Sequence, residues 1–244
     1  MTRPTSTNAA LLLACLLFGC DGAAPAADRK LPEPAFGKGT LVGSVTLVGT
    51  PPVMQMLDSG KCHTGAAVVM DETVVTGAKG GLANAIVYLL DAPASSGANQ
   101  TELVLDQVGC KYVPRVTAIQ TRQPLKITTS DTVFHNVHWV SQSNGNINFG
   151  LEQPGQSRVF AFEAPEFFRV RCDVHPWMNS WVGVIDHPFF AVTDKDGRFS
   201  ISRMPAGTYR VGVWHEFYGT REAVVTVSDS APAAVRFEYA PPAR

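Results

Sequence analysis

The chain contains 244 residues, of which 45% are hydrophobic and 17% are charged, and its formal net charge is −1 at pH 7. This length and hydrophobic content suffice for one large or two modest domains. The chain has no run of basic residues, so its charge pattern lacks the electrostatic signature of a nucleic-acid-binding protein.

The amino terminus carries the only long apolar segment of the sequence, Ala9–Cys20. This segment is too short to span a membrane as a helix, and a basic residue precedes it, so it predicts a secretory signal peptide over residues 1–20. Its end, Leu17-Phe18-Gly19-Cys20, resembles a bacterial lipoprotein box. That resemblance implies that Cys20 is acylated and becomes the mature amino terminus. Ordinary cleavage after Ala24-Pro25-Ala26 is the alternative.

Residues 21–36 are rich in alanine and proline, a composition that predicts a tether. Together with the signal segment, the tether predicts a periplasmic protein that a lipid anchors to a membrane. A soluble periplasmic or secreted protein is the alternative.

Short β-strands are predicted through the rest of the chain by alternating and β-branched residues. Gly39–Val48 and Ala85–Leu90 come first, and a polar loop is expected at Gln142–Asn148. No segment after the signal has the periodicity of a long amphipathic helix, so the sequence predicts an all-β protein of antiparallel sandwiches. Between residues 103 and 187 the candidate strands are Lys111–Ile119, Pro124–Thr129, Val137–Ser141, Arg158–Glu163, Phe167–Arg171 and Trp181–Ile185.

A metal-binding motif occurs at Cys172-Asp173-Val174-His175-Pro176-Trp177-Met178. Thiolate, imidazole and thioether donors at intervals of three residues suit copper, and two His with one Cys and a weak axial Met form a blue-copper site. The second imidazole is available upstream at His135. The sequence therefore predicts one copper ion bound by His135, Cys172, His175 and Met178. A structural zinc site is the alternative, but it would require four Cys or His ligands.

These residues resemble the cupredoxin family, and the short ligand loop is of the amicyanin type. The resemblance implies that His135 is the first ligand and that Asn136 ties the two ligand segments together. Pro176 is expected to stiffen the loop and to remove one N–H group near the sulfur. His138 lies at odd spacing from His135 on a strand, so we expect it to face away from the metal.

A second resemblance begins after the metal motif, in Val192–Ile201 and Pro205–Val211. This pattern, with an Asp196-Gly197 turn, resembles the transthyretin-like sandwich of carboxypeptidase-regulatory domains. The resemblance implies one sandwich built from residues 37–102 and 188–241, with a cupredoxin domain at residues 103–187 inserted into it. Two domains in series are the alternative.

The cysteines carry a further prediction. Export places the chain in an oxidising compartment, and Cys62 and Cys110 are the two cysteines without another predicted role. We therefore predict a disulfide between them, with two buried thiols as the alternative.

The predicted function is electron transfer through one type 1 copper, with a redox protein as partner. Four protein ligands leave no open position for a substrate, so the pattern does not favour an enzyme. A copper chaperone, store or sensor is the alternative, as is a binding or scaffold module. Trp177, with Trp181 and Phe189, is predicted to form an apolar collar around an exposed edge of His175, unless the tryptophans belong to the core.

Overall fold

A computed structural model describes residues 33–57, 62, 69–92, 95 and 99–240. The predicted signal peptide with Cys20, most of the tether, and His63 lie outside these described residues. Among the described residues, no helix reaches the length and hydrophobicity that a membrane span requires.

The described chain is all-β, as predicted, and contains one short 3-10 turn at Ala78–Gly80. Its strands are β1 (Gly39–Leu47), β2 (Met56–Leu57), β3 (Val69–Met70), β4 (Ile86–Leu89), β5 (Leu103–Gln107), β6 (Tyr112–Val113), β7 (Val116–Gln120), β8 (Leu125–Thr129), β9 (His135–Trp139), β10 (Ile147–Leu151), β11 (Ser157–Phe160), β12 (Glu166–Arg171), β13 (Asn179–Ile185), β14 (Phe190–Val192), β15 (Arg198–Met204), β16 (Gly207–His215), β17 (Gly219–Val227) and β18 (Ala233–Tyr239).

Strands β5–β13 form one sandwich, which we call the inner sandwich. Its sheets have the orders β10-β9-β12-β13-β7 and β11-β8-β5-β6. Strand β8 shows why the chain folds this way, because Leu125, Ile127 and Thr129 are buried while the residues between them are partly exposed. Such alternation places one face of the strand in the core. The core between the sheets includes Trp139, Phe168 and Val182.

The remaining long strands form a second sandwich, which we call the outer sandwich. Its sheets have the orders β15-β1-β18 and β14-β4-β16-β17. Strand β1 pairs antiparallel with β15 and parallel with β18, and β4 pairs with β14 and β16. Strands from before residue 103 and after residue 187 therefore share both sheets, and the inner sandwich lies between β4 and β14 in the chain. The end of the predicted tether is packed, since Phe36 lies 6.0 Å from the ring of Phe189.

Several strand predictions differ from the structure. The predicted strand Lys111–Ile119 is divided by Pro114 into β6 and β7, since proline has no N–H group for a sheet ladder. The predicted polar loop at Gln142–Asn148 runs into β10, where Phe149 and Leu151 alternate into the core. The polar residues that precede Ile147 hid this strand.

The two sandwiches meet through a small apolar interface. Ile86 of the outer sandwich packs with Val116 and Ile185 of the inner one, and all three are buried. Aromatic rings surround them: Trp214 lies 5.0 Å from Trp181 between ring centroids. The described residues accordingly belong to one compact unit.

A buried ion pair reinforces this interface. The Arg115 guanidinium donates two hydrogen bonds of 2.7 Å to the Glu216 carboxylate, and their side chains are only 10% and 7% exposed. The Trp181 indole N–H also donates to Glu216, at 3.1 Å. Since Arg115 and Trp181 belong to the inner sandwich and Glu216 to the outer one, these bonds join the two.

The segment between β1 and β4, which we call the strap, also crosses between the sandwiches. Its strands β2 and β3 form a two-stranded ribbon. A disulfide joins Cys62 of the strap to Cys110 of the inner sandwich, with Cα atoms 6.3 Å apart. Glu72 of the strap accepts a 2.6 Å hydrogen bond from Lys111. The strap is therefore attached to the inner sandwich at two neighbouring points.

The interface ion pair leads to a first prediction. Glu216→Gln leaves the Arg115 guanidinium buried without its counter-charge, which costs about 3 kcal/mol of unfolding free energy. The matched control is Glu222→Gln, which removes the exposed partner of Arg210 and should cost less than about 1 kcal/mol. Urea unfolding measures both variants. Equal midpoints for the two would contradict a stabilising role for the Arg115–Glu216 pair.

Candidate metal centre

The predicted ligand loop connects two adjacent strands of the inner sandwich. Strand β12 ends at Arg171 and β13 begins at Asn179, so Cys172 to Met178 form the complete connection. The Met178 N–H donates to the carbonyl of His175 at 2.9 Å, and the Cys172 N–H donates to the carbonyl of Met178 at 3.2 Å. These bonds fold the loop back on itself and bring its first and last residues together.

His135 reaches the same end of the sheet from the neighbouring strand. Strand β9 pairs antiparallel with β12, with His138 opposite Arg171. The first residues of β9 therefore lie beside the loop that follows β12. Thus the sheet, rather than the loop alone, places the upstream imidazole near Cys172.

Three predicted ligands converge in this pocket. The Nδ1 atoms of His135 and His175 are 3.0 Å apart, and Cys172 Sγ is 3.8 Å from His175 Nδ1. One donor atom from each of the three residues lies within 4.8 Å of the other two. All three side chains are buried, with exposures of 0%, 2% and 4% for His135, Cys172 and His175. Met178 is 1% exposed and belongs to the same core cluster as Cys172.

These separations fit one metal ion. With metal–nitrogen bonds of about 2.0 Å and metal–sulfur bonds of about 2.3 Å, trigonal coordination separates donor atoms by roughly 3.5–3.7 Å. The observed 3.0 and 3.8 Å differ from this by amounts that small rotations of the side chains remove. A thiolate, two imidazoles and an adjacent thioether form a donor set suited to copper.

A buried carboxylate orients His135. Asp131 Oδ2 lies 2.9 Å from His135 Nε2, on the side of the ring opposite to the pocket. When Asp131 accepts the Nε2 proton, the Nδ1 lone pair of His135 faces the other donors, as metal binding requires. The same carboxylate accepts the backbone N–H groups of Gly109 and Cys110, at 2.7 and 2.8 Å.

The protonation state of the second imidazole, that of His175, also suits a metal ligand. Burial lowers the pKa of His175, and the neighbouring His135 lowers this pKa further, while Asp131 opposes the shift. His175 is therefore neutral at pH 7, and a neutral imidazole can coordinate a metal.

Asn136 links the two ligand segments, the role that the family resemblance implies for it. Its backbone N–H lies 3.4 Å from Cys172 Sγ, and its side-chain oxygen accepts the N–H of Asp173. Its amide nitrogen donates to Asn148 on β10, at 2.7 Å. The Cys172 sulfur thus has a backbone hydrogen-bond donor from the strand that carries His135.

Tyr112 supports the same junction from inside the core. Its hydroxyl lies 2.7 Å from the carbonyl of Asn136 and 3.2 Å from that of Arg171. Burial raises the pKa of Tyr112 well above its usual range, and the nearby Cys172 raises it further. The phenol therefore remains a donor to these carbonyls.

The surface above the site differs from the predicted collar. His175 is buried, and the partly exposed Trp177 ring lies 5.1 Å from its ring. Trp181 and Phe189 were predicted in this collar, but Trp181 lies at the interface of the sandwiches and Phe189 in the outer core. The positions of these two rings depend on the directions of the strands that follow the ligand loop, which the spacing of residues in the sequence does not show.

Exposed apolar side chains do occur next to two of the ligands. Phe134 precedes His135 and is 44% exposed, and Val174 precedes His175 and is 49% exposed. Pro176 is also exposed. The N–H group that lies 3.4 Å from Cys172 Sγ belongs to Asn136, on strand β9, and not to a residue of the ligand loop.

The other histidines of the described chain lie apart from the donor cluster. His138 bonds to Asp173 at 2.7 Å and is partly exposed. His187 bonds to the carbonyl of Leu89, and His215 accepts the N–H of Phe217, both in the outer sandwich.

Two residues that support the site, Asp131 and Tyr112, were not predicted from the sequence. Asp131 contacts His135, and Tyr112 donates to the carbonyls of Asn136 and Arg171. A carboxylate four residues before a ligand is the signal that was available for Asp131.

Comparison with known proteins gives partial likenesses. A family model, polysaccharide lyase family 4, domain II, matches residues 170–235. The family matched in this part of the chain is therefore not the carboxypeptidase-regulatory family that the sequence pattern resembles. No curated protein matches the chain.

Solved structures similar to the chain include two amicyanin variants and a copper-containing nitrite reductase from Thermus scotoductus. One amicyanin, in the Cu(I) form, is 20% identical, with 37% of this chain and 85% of that chain covered and a TM-score of 0.31. Another, in the reduced state, is 19% identical, with 41% and 98% covered and a TM-score of 0.32. The reductase is 17% identical, with 38% and 24% covered and a TM-score of 0.33. These likenesses are partial, and the chemistry of the site rests on its own residues.

Proposed function

We propose that this protein is a copper-dependent electron carrier whose redox-active ion is held by His135, Cys172, His175 and Met178. The observation that carries the proposal is the convergence of one thiolate and two imidazoles in a buried pocket, closed by a loop that also contains a methionine. When bound, copper supplies a one-electron Cu(II)/Cu(I) couple.

The surrounding residues suit electron transfer rather than catalysis. Four protein donors leave no ligand position for a substrate. Hydrogen bonds with Asn136, Asp131 and the loop backbone hold the donors in place, so a change of charge at the site requires little rearrangement. The burial of the donors keeps water away from them.

We also propose that an electron enters or leaves near His175. Trp177 is in contact with this imidazole and is partly exposed, and exposed Phe134 and Val174 flank the ligands. An apolar surface of this kind lets a redox protein approach with a small interface, as transient complexes require.

The proposed location of the protein rests on sequence features alone. We propose export to the periplasm and lipid attachment at Cys20. A disulfide such as Cys62–Cys110 is compatible with an oxidising compartment.

The proposed site predicts a coloured protein. Copper(II) bound to Cys172 should give an intense visible thiolate charge-transfer band, and Cys172→Ser should abolish it. Met178→Leu should retain the colour and change the reduction potential, because an axial ligand tunes the ion more than it holds it. Absorption spectroscopy and voltammetry measure both effects. A colourless protein that binds copper stoichiometrically would contradict the type 1 assignment.

The contact between Asp131 and His135 predicts a tuned potential. A buried negative charge next to a ligand favours Cu(II) over Cu(I), so Asp131→Asn should raise the reduction potential. We expect at least about 59 mV, the shift for a tenfold change in relative affinity for the two oxidation states. The matched control, Glu152→Gln, removes an exposed carboxylate of the same sandwich and should leave the potential nearly unchanged. An equal potential in both variants, with the visible band intact, would exclude this role for Asp131.

A further inference from the structure

The methionines of the described chain fall into two groups by burial. Met178 and Met204 are core residues, with exposures of 1% and 0%. In contrast, Met56 is 69% exposed, Met70 is 40% exposed, and Met54 is partly exposed. All three methionines of the second group belong to the strap. Methionine usually fills gaps in a core, so two exposed methionines and one partly exposed methionine in the strap are not explained by packing.

Strand pairing brings these three side chains to one face of the ribbon. Met56 on β2 is directly opposite Met70 on β3. The Asp71 N–H donates to the carbonyl of Gln55 at 2.9 Å, so the pairing continues toward Met54. Met54 is two residues before Met56 and therefore shares its face. Directly opposite Cβ atoms are about 5 Å apart and diagonal neighbours about 7–8 Å apart, within reach of long side chains.

The opposite face of the ribbon has a different environment. Val69 is buried, and Leu57 is partly buried. The ribbon lies against the ligand loop, because Leu57, Val69 and Met70 line a small cavity of about 10 Å³ together with Trp177 and Met178. The Cys62–Cys110 disulfide and the Glu72–Lys111 ion pair hold the strap in this position. Met56 and Met70 nevertheless remain 69% and 40% exposed, on an element fixed beside the metal centre.

Thioethers are soft donors that select Cu(I) over Cu(II) and over hard cations. Each methionine has three rotatable side-chain bonds, so three sulfurs on one face can turn toward a single ion. We propose that Met54, Met56 and Met70 form a second, solvent-accessible metal site that binds one Cu(I) ion. This site is separate from the buried centre and does not need that centre to be occupied.

The test is an anaerobic Cu(I) titration of the full chain, first loaded with one copper ion, in competition with a chromophoric Cu(I) chelator. The unaltered protein should take up one further Cu(I). The variant Met54→Leu, Met56→Leu, Met70→Leu keeps the volume of the side chains and should bind this ion at least tenfold more weakly. The matched control Met204→Leu removes a buried thioether of the outer core and should retain the uptake.

A second readout localises the ion without relying on stoichiometry. With methyl-labelled methionine, Ag(I) added as a soft, diamagnetic probe should shift the NMR signals of the Met54, Met56 and Met70 methyl groups and leave that of Met204 in place. No further Cu(I) uptake by the unaltered protein, equal uptake by the triple variant, or unshifted methyl signals would each overturn the proposal. The visible band of the buried centre should be the same in the triple variant, and its absence from the unaltered protein would count against the proposed carrier function only.

Discussion

The antiparallel pairing of β9 with β12 is the constraint on which the candidate metal centre depends. It places His135 at the same edge of the sheet as Cys172. The two are far apart in the chain, since Asn136, the residue after His135, is 36 positions before that cysteine. Asn136 then bonds across this junction to the cysteine sulfur and to the loop backbone. The loop can therefore be short, because the sheet already supplies the distant imidazole. A change in the register of β9 by one residue would turn His135 to the other face of the sheet.

The rest of the molecule supports that edge of the inner sandwich. Arg115 directly precedes β7, and Trp181 lies on β13. Both side chains donate hydrogen bonds to Glu216 of the outer sandwich. The strap is joined to Cys110, and the N–H of Cys110 donates to the Asp131 carboxylate that holds His135. The carbonyl of Cys110 accepts the indole N–H of Trp177 in the ligand loop. One residue of the disulfide thus contacts both ligand segments through its backbone.

Three of the four proposed donors could be predicted from sequence because they lie in one short loop. A Cys, a His and a Met at intervals of three residues specify soft coordination whatever surrounds them. Alternating and β-branched residues also predicted strands such as β8, whereas the polar residues before β10 did not indicate that strand. Asp131 stands four residues before His135 in the sequence, but its contact with Nε2 depends on the ring orientation of His135 in the folded chain. The positions of Trp181 and Phe189 depend on the packing of two sandwiches, which loop spacing does not contain.

The central claim is that one copper ion is bound where His135, Cys172 and His175 converge. The most direct test is a crystal structure of the copper-loaded protein with anomalous scattering data collected on both sides of the copper absorption edge. We predict one strong anomalous peak in the buried pocket, within bonding distance of His135 Nδ1, His175 Nδ1 and Cys172 Sγ and next to Met178. A fully loaded protein with no peak in this pocket would contradict it.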